Sequence, residues 1–202
     1  IRAICAFWVV MAHIGAPPLI EGLDRANPIA KLVGGLYGNL WSGPAAVIIF
    51  FVISGFCIHY PFASSLQIPS LRIYLARRYL RIGIPLMVII GITSILKTSL
   101  TLYNDSILWS LVAEVIYYGL YPGLLACRRK CSGWDPIILG CVGMAIVLAS
   151  TNPSAGDYQT YGNLLNWIIG LPCWLSGCWL AEKILKKEPP LSPSPHSIWI
   201  WR

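Results

Sequence analysis

The chain has 202 residues, 56% of them hydrophobic and only 11% charged, and its mean hydropathy is +0.66. Soluble domains carry about 25% charged residues, so a soluble globular domain is excluded and a membrane protein is predicted. The net charge of +7 does not indicate a nucleic-acid partner, because the basic residues sit between apolar spans rather than on a soluble face.

Six segments are predicted to cross a hydrocarbon core of about 30 Å, which takes about 20 helical residues each. They are 1–20, 41–60, 84–103, 107–127, 135–151 and 163–181, giving an all-α transmembrane bundle. The chain begins with Ile1 rather than Met, with the first span already under way, and is expected to be a fragment of a longer protein.

The first span, IRAICAFWVVMAHIGA, places Arg2 and His13 11 residues apart. That is close to three turns at about 3.6 residues each, so both point the same way, about 16 Å apart along the axis. The residues between them carry no charge. Arg2 then lies at one interface and His13 near the midplane, where an ionisable side chain is costly and marks a functional site. Residues 21–40 are predicted to form the longest outer loop.

The second span ends in FFVISGFCIHYPF. Its Ser54-Gly55 pair permits either close helix approach or a local break. His59 falls near the cytoplasmic interface and reads as an ordinary interfacial histidine, with contact to a donor as the alternative. The following stretch, LRIYLARRYLRIGIP, reads as a loop with a short interfacial helix. Spacings of three and four would show Arg77, Arg78 and Arg81 on one side. Two readings stay open for these residues and Arg72. One is an orientation signal that touches anionic lipid. The other is a clamp for a phosphorylated donor, since guanidinium groups contact phosphate bidentately.

Tyr103-Asn104-Asp105-Ser106 is predicted to be a tight outer turn into the fourth span. Glu114 then lies about 10 Å below the outer end of that span, or about 20 Å from the inner edge of a 30 Å core. His13 reaches a similar depth from another helix. A carboxylate beside an imidazole would fix its tautomer and favour the imidazolium formed in proton transfer. Ser110 lies one turn before Glu114 on the same face. The alternative is a polar pair that only locks helices together.

The positive-inside rule sets the orientation. With the N-terminus inside, Arg2, Arg72, Arg77, Arg78, Arg81, Arg128, Arg129, Lys130, Lys183, Lys186, Lys187 and Arg202 lie inside, twelve of the 15 Lys and Arg. Arg25 and Lys31 lie outside, and Lys97 snorkels from within the third span. The prediction is N-in and C-in. Nine Trp and ten Tyr suit interfacial anchoring. Cys5, Cys57, Cys127, Cys131, Cys141, Cys173 and Cys178 read mostly as buried thiols. Cys127 and Cys131 have no His or second Cys pair near them, so no metal is expected. Residues 1–182 form the membrane domain, and 183–202 read as a Pro/Ser-rich cytoplasmic tail with a solvated His196. No internal repeat is visible, which argues against an inverted-repeat transporter. A proton-relay transporter using buried His and Glu and a non-catalytic fragment remain the alternatives.

Taken in order, Arg2-x10-His13, FFVISGF at 50–56, RRYLR at 77–81, WSLVAE at 109–114 and YYGLYP at 117–122 resemble the acyltransferase 3 family of integral membrane acyltransferases. The resemblance covers about residues 1–182, the N-terminal part of such a domain, and the Pro-rich tail departs from the family pattern. It implies transfer of an acyl group, most often acetyl, from acyl-CoA to a hydroxyl of a cell-surface glycan or lipid-linked acceptor. It also implies residence in a bacterial inner membrane, with the lipid bilayer as partner and neither metal nor nucleic acid. By the same resemblance His13 and Arg2 match an essential pair and Glu114 an acidic motif position. Arg78 and Arg81 match a cytoplasmic Arg-x-x-Arg motif, with Arg72 and Arg77 beside them. His13 would act as general base on the acceptor hydroxyl or carry the acyl group itself.

Overall fold

The computed structural model describes residues 7–8, 11, 27–40, 43–96, 108–151 and 165–187. Its elements are α1 (Pro28–Leu40), α2 (Gly43–His59), a 3-10 turn (Tyr60–Phe62), α3 (Leu71–Ile95), α4 (Leu108–Lys130), α5 (Asp135–Thr151) and α6 (Asn166–Lys187). Four helical stretches are long and apolar enough to cross a membrane: Gly43–Phe62, Leu71–Ile95, Trp109–Lys130 and Asn166–Lys186. The apolar helix α5 is shorter. The predicted all-helical membrane bundle is therefore present. Most of the first span, the turn at 103–106, Lys97 and residues 188–202 lie outside the described residues.

Three boundaries differ from those expected. The segment 21–40 is not all loop, because α1 occupies Pro28–Leu40. Asn27 starts it: its side-chain Oδ1 accepts the Ile29 N–H at 2.9 Å, and Pro28 follows at the first helical position, where its missing N–H costs nothing. The arginine-rich stretch is not a separate interfacial helix. It is the first half of a continuous 25-residue α3 that begins at Leu71 rather than residue 84. Ser70 caps α3 through its side chain, which accepts from the Ile73 N–H, and no breaker follows before Pro85, which the helix absorbs. Finally, α6 runs to Lys187, so Lys183 and Lys186 sit on its last turns.

The core is built where α2, α4 and α6 meet. Along α4 the buried residues Trp109, Ala113, Tyr117, Tyr121 and Leu125 recur at helical spacing. Leu171, Trp174, Leu175 and Cys178 do the same on α6. Aromatic rings fill the space between, with Phe51 and Tyr117 edge-on at 5.4 Å and Tyr117 and Trp174 at 5.6 Å, within the range of favourable ring pairs. Small residues let α2 and α6 touch backbone to backbone. A Cβ on Gly55 would lie 1.9 Å from the Trp174 carbonyl oxygen, and one on Gly177 would lie 2.0 Å from that of Val52. Ser54-Gly55 thus serves close approach, and α2 continues through it unbroken to His59.

Side-chain pairs give the helix directions. Ser54 meets Glu114, and five residues later His59 meets Tyr121 and Glu182. Helices α2, α4 and α6 therefore run the same way. Tyr74, near the start of α3, packs on Tyr121, and Trp134, just before α5, meets Glu182. So α2, α4 and α6 finish where α3 and α5 begin. That shared end carries Arg72, Arg77, Arg78, Arg128, Arg129, Lys130, Lys183 and Lys186 and is the basic end of the bundle. The outward faces of α3 and α5 expose Ile84, Met87, Val88, Leu139, Ile146 and Val147, surfaces suited to lipid chains.

Of the described cysteines, all are free thiols; Cys141 and Cys178 are buried, Cys127 is exposed, and the rest are half-buried. The expectation of mostly buried thiols is met by Cys141 and Cys178, which belong to the hydrophobic core, and not by the other described cysteines.

Candidate functional site

Glu114 sits on the inward face of α4, one residue after the buried Ala113, and is 3% exposed. Its oxygen Oε1 accepts the Ser54 hydroxyl of α2 at 2.5 Å and also the Tyr118 hydroxyl, one turn further along α4. Ser54 is itself fully buried and accepts the Trp174 indole N–H of α6 at 3.3 Å. A carboxylate in a bilayer-spanning helix is therefore held directly by groups from α2 and α4, and α6 reaches it only through Ser54. Ser110 is buried one turn before it. His13 and Arg2, the two residues expected to work with Glu114, lie outside the described residues.

All four expected arginines lie on α3, where Arg77, Arg78 and Arg81 share one side and Arg72, nine residues before Arg81, falls on the opposite side at about 3.6 residues per turn. Arg72, Arg77 and Arg81 are exposed, and Arg78 is half-buried. The Arg78 guanidinium lies over the Tyr74 ring, 5.9 Å from its centroid, at the edge of cation–π range. Tyr74 is buried, and its hydroxyl donates to the Tyr118 carbonyl at 3.3 Å. Tyr118 thus touches both groups: its hydroxyl meets Glu114, and its carbonyl anchors the ring beneath Arg78.

A second buried polar cluster occupies the basic end. His59 is not an ordinary interfacial histidine; it is fully buried. Its Nδ1 lies 2.9 Å from the Tyr121 hydroxyl, and its Nε2 lies 3.2 Å from Glu182 Oε1. A carboxylate only accepts, so Nε2 carries the hydrogen and Nδ1 accepts from Tyr121. Glu182 also accepts the Trp134 indole N–H at 2.9 Å and Arg128 Nε at 3.0 Å, while its Oε2 takes Arg128 Nη2 at 2.7 Å. Arg128 Nη1 reaches the Cys131 carbonyl at 3.1 Å, closing the end of α4. The sequence reading missed Glu182 and Trp134. A signal was present: an acidic residue in the last turns of a helix opposes the helix dipole, so its presence among lysines implies a specific cation.

These two clusters have different chemistry open to them. The His59 cluster is saturated by its own partners and ties the ends of α2, α4 and α6 together. In the Glu114 cluster both of these hydroxyls meet Oε1, and Oε2 takes neither. Among the described residues, no group of three or more His, Cys, Asp or Glu side chains gathers as metal ligands would.

A family model described as an acyltransferase domain matches residues 1–198 of the chain. No curated protein and no solved structure matches it.

Proposed function

Because the chain belongs to the acyltransferase 3 family, a family of membrane acyltransferases, we propose that it moves an acyl group, acetyl first, from acyl-CoA to a hydroxyl. The acceptor is a cell-surface glycan or a lipid-linked precursor of one. The observation that carries this reading is the buried Glu114 carboxylate, hydrogen-bonded inside the bundle and joined through Tyr118 to the seat of Arg78. An enzyme drawing a phosphorylated donor from one membrane face needs this pairing: cations at the face and an acid in the interior.

In the proposed reaction the donor phosphates rest against Arg78 and Arg81, with Arg72 and Arg77 beside them. The thioester arm runs between helices toward His13. His13 takes the proton from the acceptor hydroxyl as its oxygen attacks the thioester carbonyl. The C–S bond breaks, the new ester forms, and the CoA thiolate takes the proton back from the imidazolium. Glu114 orients the imidazole and balances its transient charge. Arg2, about 16 Å from His13 along the helix, holds donor phosphate or a neighbouring helix. The basic end faces the cytoplasm of a bacterial inner membrane, following the positive-inside rule.

Labelled acetyl-CoA offered to sealed membrane vesicles of either orientation tests this. Inverted vesicles, whose cytoplasmic face is outside, are expected to release CoA and label an extractable glycan, and right-side-out vesicles are not. Equal labelling in both orientations would contradict the donor side. Labelling in neither would contradict the enzyme reading for this chain.

A further inference from the structure

We propose that Ser54 and Tyr118 are positioning residues for Glu114: by pinning Oε1 from two helices, they turn Oε2 toward the reacting group. The inference rests on the reading above that Glu114 works at the reacting centre. It adds which residues set the direction of that carboxylate.

A glutamate carboxylate turns broadly about its last torsion, so burial alone does not aim it. Here Oε1 meets Ser54 Oγ at 2.5 Å and the Tyr118 hydroxyl together. The first donor comes from α2 and the second from α4 itself, so their directions differ. Two donors on one oxygen fix both the position and the rotation of the group. Hydrogen bonds to a charged acceptor are also the strong ones.

The direction of the Ser54 hydroxyl is set in turn. An indole N–H only donates, so Trp174 meets a lone pair of Ser54 at 3.3 Å. The serine hydrogen then remains for Glu114. That arrangement needs α2 and α6 almost in backbone contact, and Gly55, beside Ser54, supplies it, its Cα standing against the Trp174 carbonyl. FFVISGF therefore holds two linked features. Gly55 brings Trp174 close, and Trp174 aims Ser54 at Glu114.

Tyr118 has a separable second contact through its backbone carbonyl, which accepts the Tyr74 hydroxyl below Arg78. Tyr118→Phe removes the hydroxyl and keeps that carbonyl. Tyr74→Phe does the reverse, releasing the Arg78 seat and leaving the bonds at Glu114 intact. The two changes should separate in kinetics, one acting on turnover and the other on donor binding.

The test measures donor-dependent initial rates for the full chain in membranes, normalised to folded protein, for Ser54→Ala, Tyr118→Phe, Tyr74→Phe and Glu114→Gln. Ser54→Ala and Tyr118→Phe are expected to lower kcat about ten- to a hundredfold through misplacement of the carboxylate, with donor KM within about twofold of wild type. Tyr74→Phe is expected to raise donor KM and keep kcat. If Ser54→Ala and Tyr118→Phe keep wild-type kcat per folded molecule while Glu114→Gln loses it, the inference is overturned and the role of Glu114 stands. If Glu114→Gln itself keeps wild-type kcat, both fall. A rise in donor KM equal to the fall in kcat would mark a general packing role and also overturn the inference.

Discussion

Removing the Glu182 carboxylate should destabilise the basic end of the bundle more than any other polar change there. The Arg128 and Glu182 side chains are 12% and 11% exposed, so water replaces little of what is lost. Glu182→Ala strands four donors at once: two from Arg128, one from Trp134 and one from His59. Breaking a buried pair by removing one partner costs about 3–5 kcal/mol. The lower end applies, because Arg128 keeps its bond to the Cys131 carbonyl and retains some solvent. Arg128→Met leaves the carboxylate with Trp134 and His59 and should cost about 2 kcal/mol. The double variant Arg128→Met/Glu182→Ala removes both charges, and its cost should fall short of the summed single costs by about 2 kcal/mol. Equilibrium unfolding in mixed micelles, followed by tryptophan fluorescence, measures all three. Single costs below about 1 kcal/mol, or strict additivity in the double variant, would show that this pair behaves like an exposed one.

Other outcomes follow from the same geometry. Gly55→Ala and Gly177→Ala each drive a methyl into a carbonyl oxygen of the facing helix, at 1.9 and 2.0 Å. Each should cost at least about 1–3 kcal/mol and lower the monodisperse fraction on size exclusion in detergent; unchanged profiles would mean α2 and α6 do not pack this closely. Tyr121→Phe removes the donor to His59 Nδ1 and should cost about 1–2 kcal/mol in the same unfolding assay, whereas a neutral result would mean that the Tyr121 hydroxyl and His59 are not paired. Arg78→Ala should raise donor KM about tenfold, and more than Arg77→Ala, because only Arg78 of the two rests on the Tyr74 ring. Equal effects of the two substitutions in donor titrations would remove Arg78 from its special place.

How much of this was visible in the sequence depends on range. Glu114 stood out because a lone carboxylate in an apolar run is costly anywhere in a bilayer, and that cost does not depend on which helix answers it. Gly55 was legible as a contact point, though not its opposite number Gly177. The start of α3 was misplaced because hydropathy weighs the arginines against a span, whereas the Ser70 cap and the absence of a breaker before Pro85 decide where the helix begins. His59 looked interfacial because it closes a span. Its burial depends on Tyr121, Trp134 and Glu182, 62, 75 and 123 residues away, and no local pattern announces partners at such separations. Tyr118 read as part of an aromatic motif, and only the fold gives it Glu114 on one side and Tyr74 on the other.

Acyl transfer by this chain is proposed to depend on His13 and Glu114. The most direct test measures labelled acetyl moving from acetyl-CoA to membrane glycan in membranes holding matched amounts of wild type, His13→Ala and Glu114→Gln. Transfer by wild type is expected, with none above background for His13→Ala and a reduced kcat for Glu114→Gln. Undiminished transfer by His13→Ala would contradict that dependence.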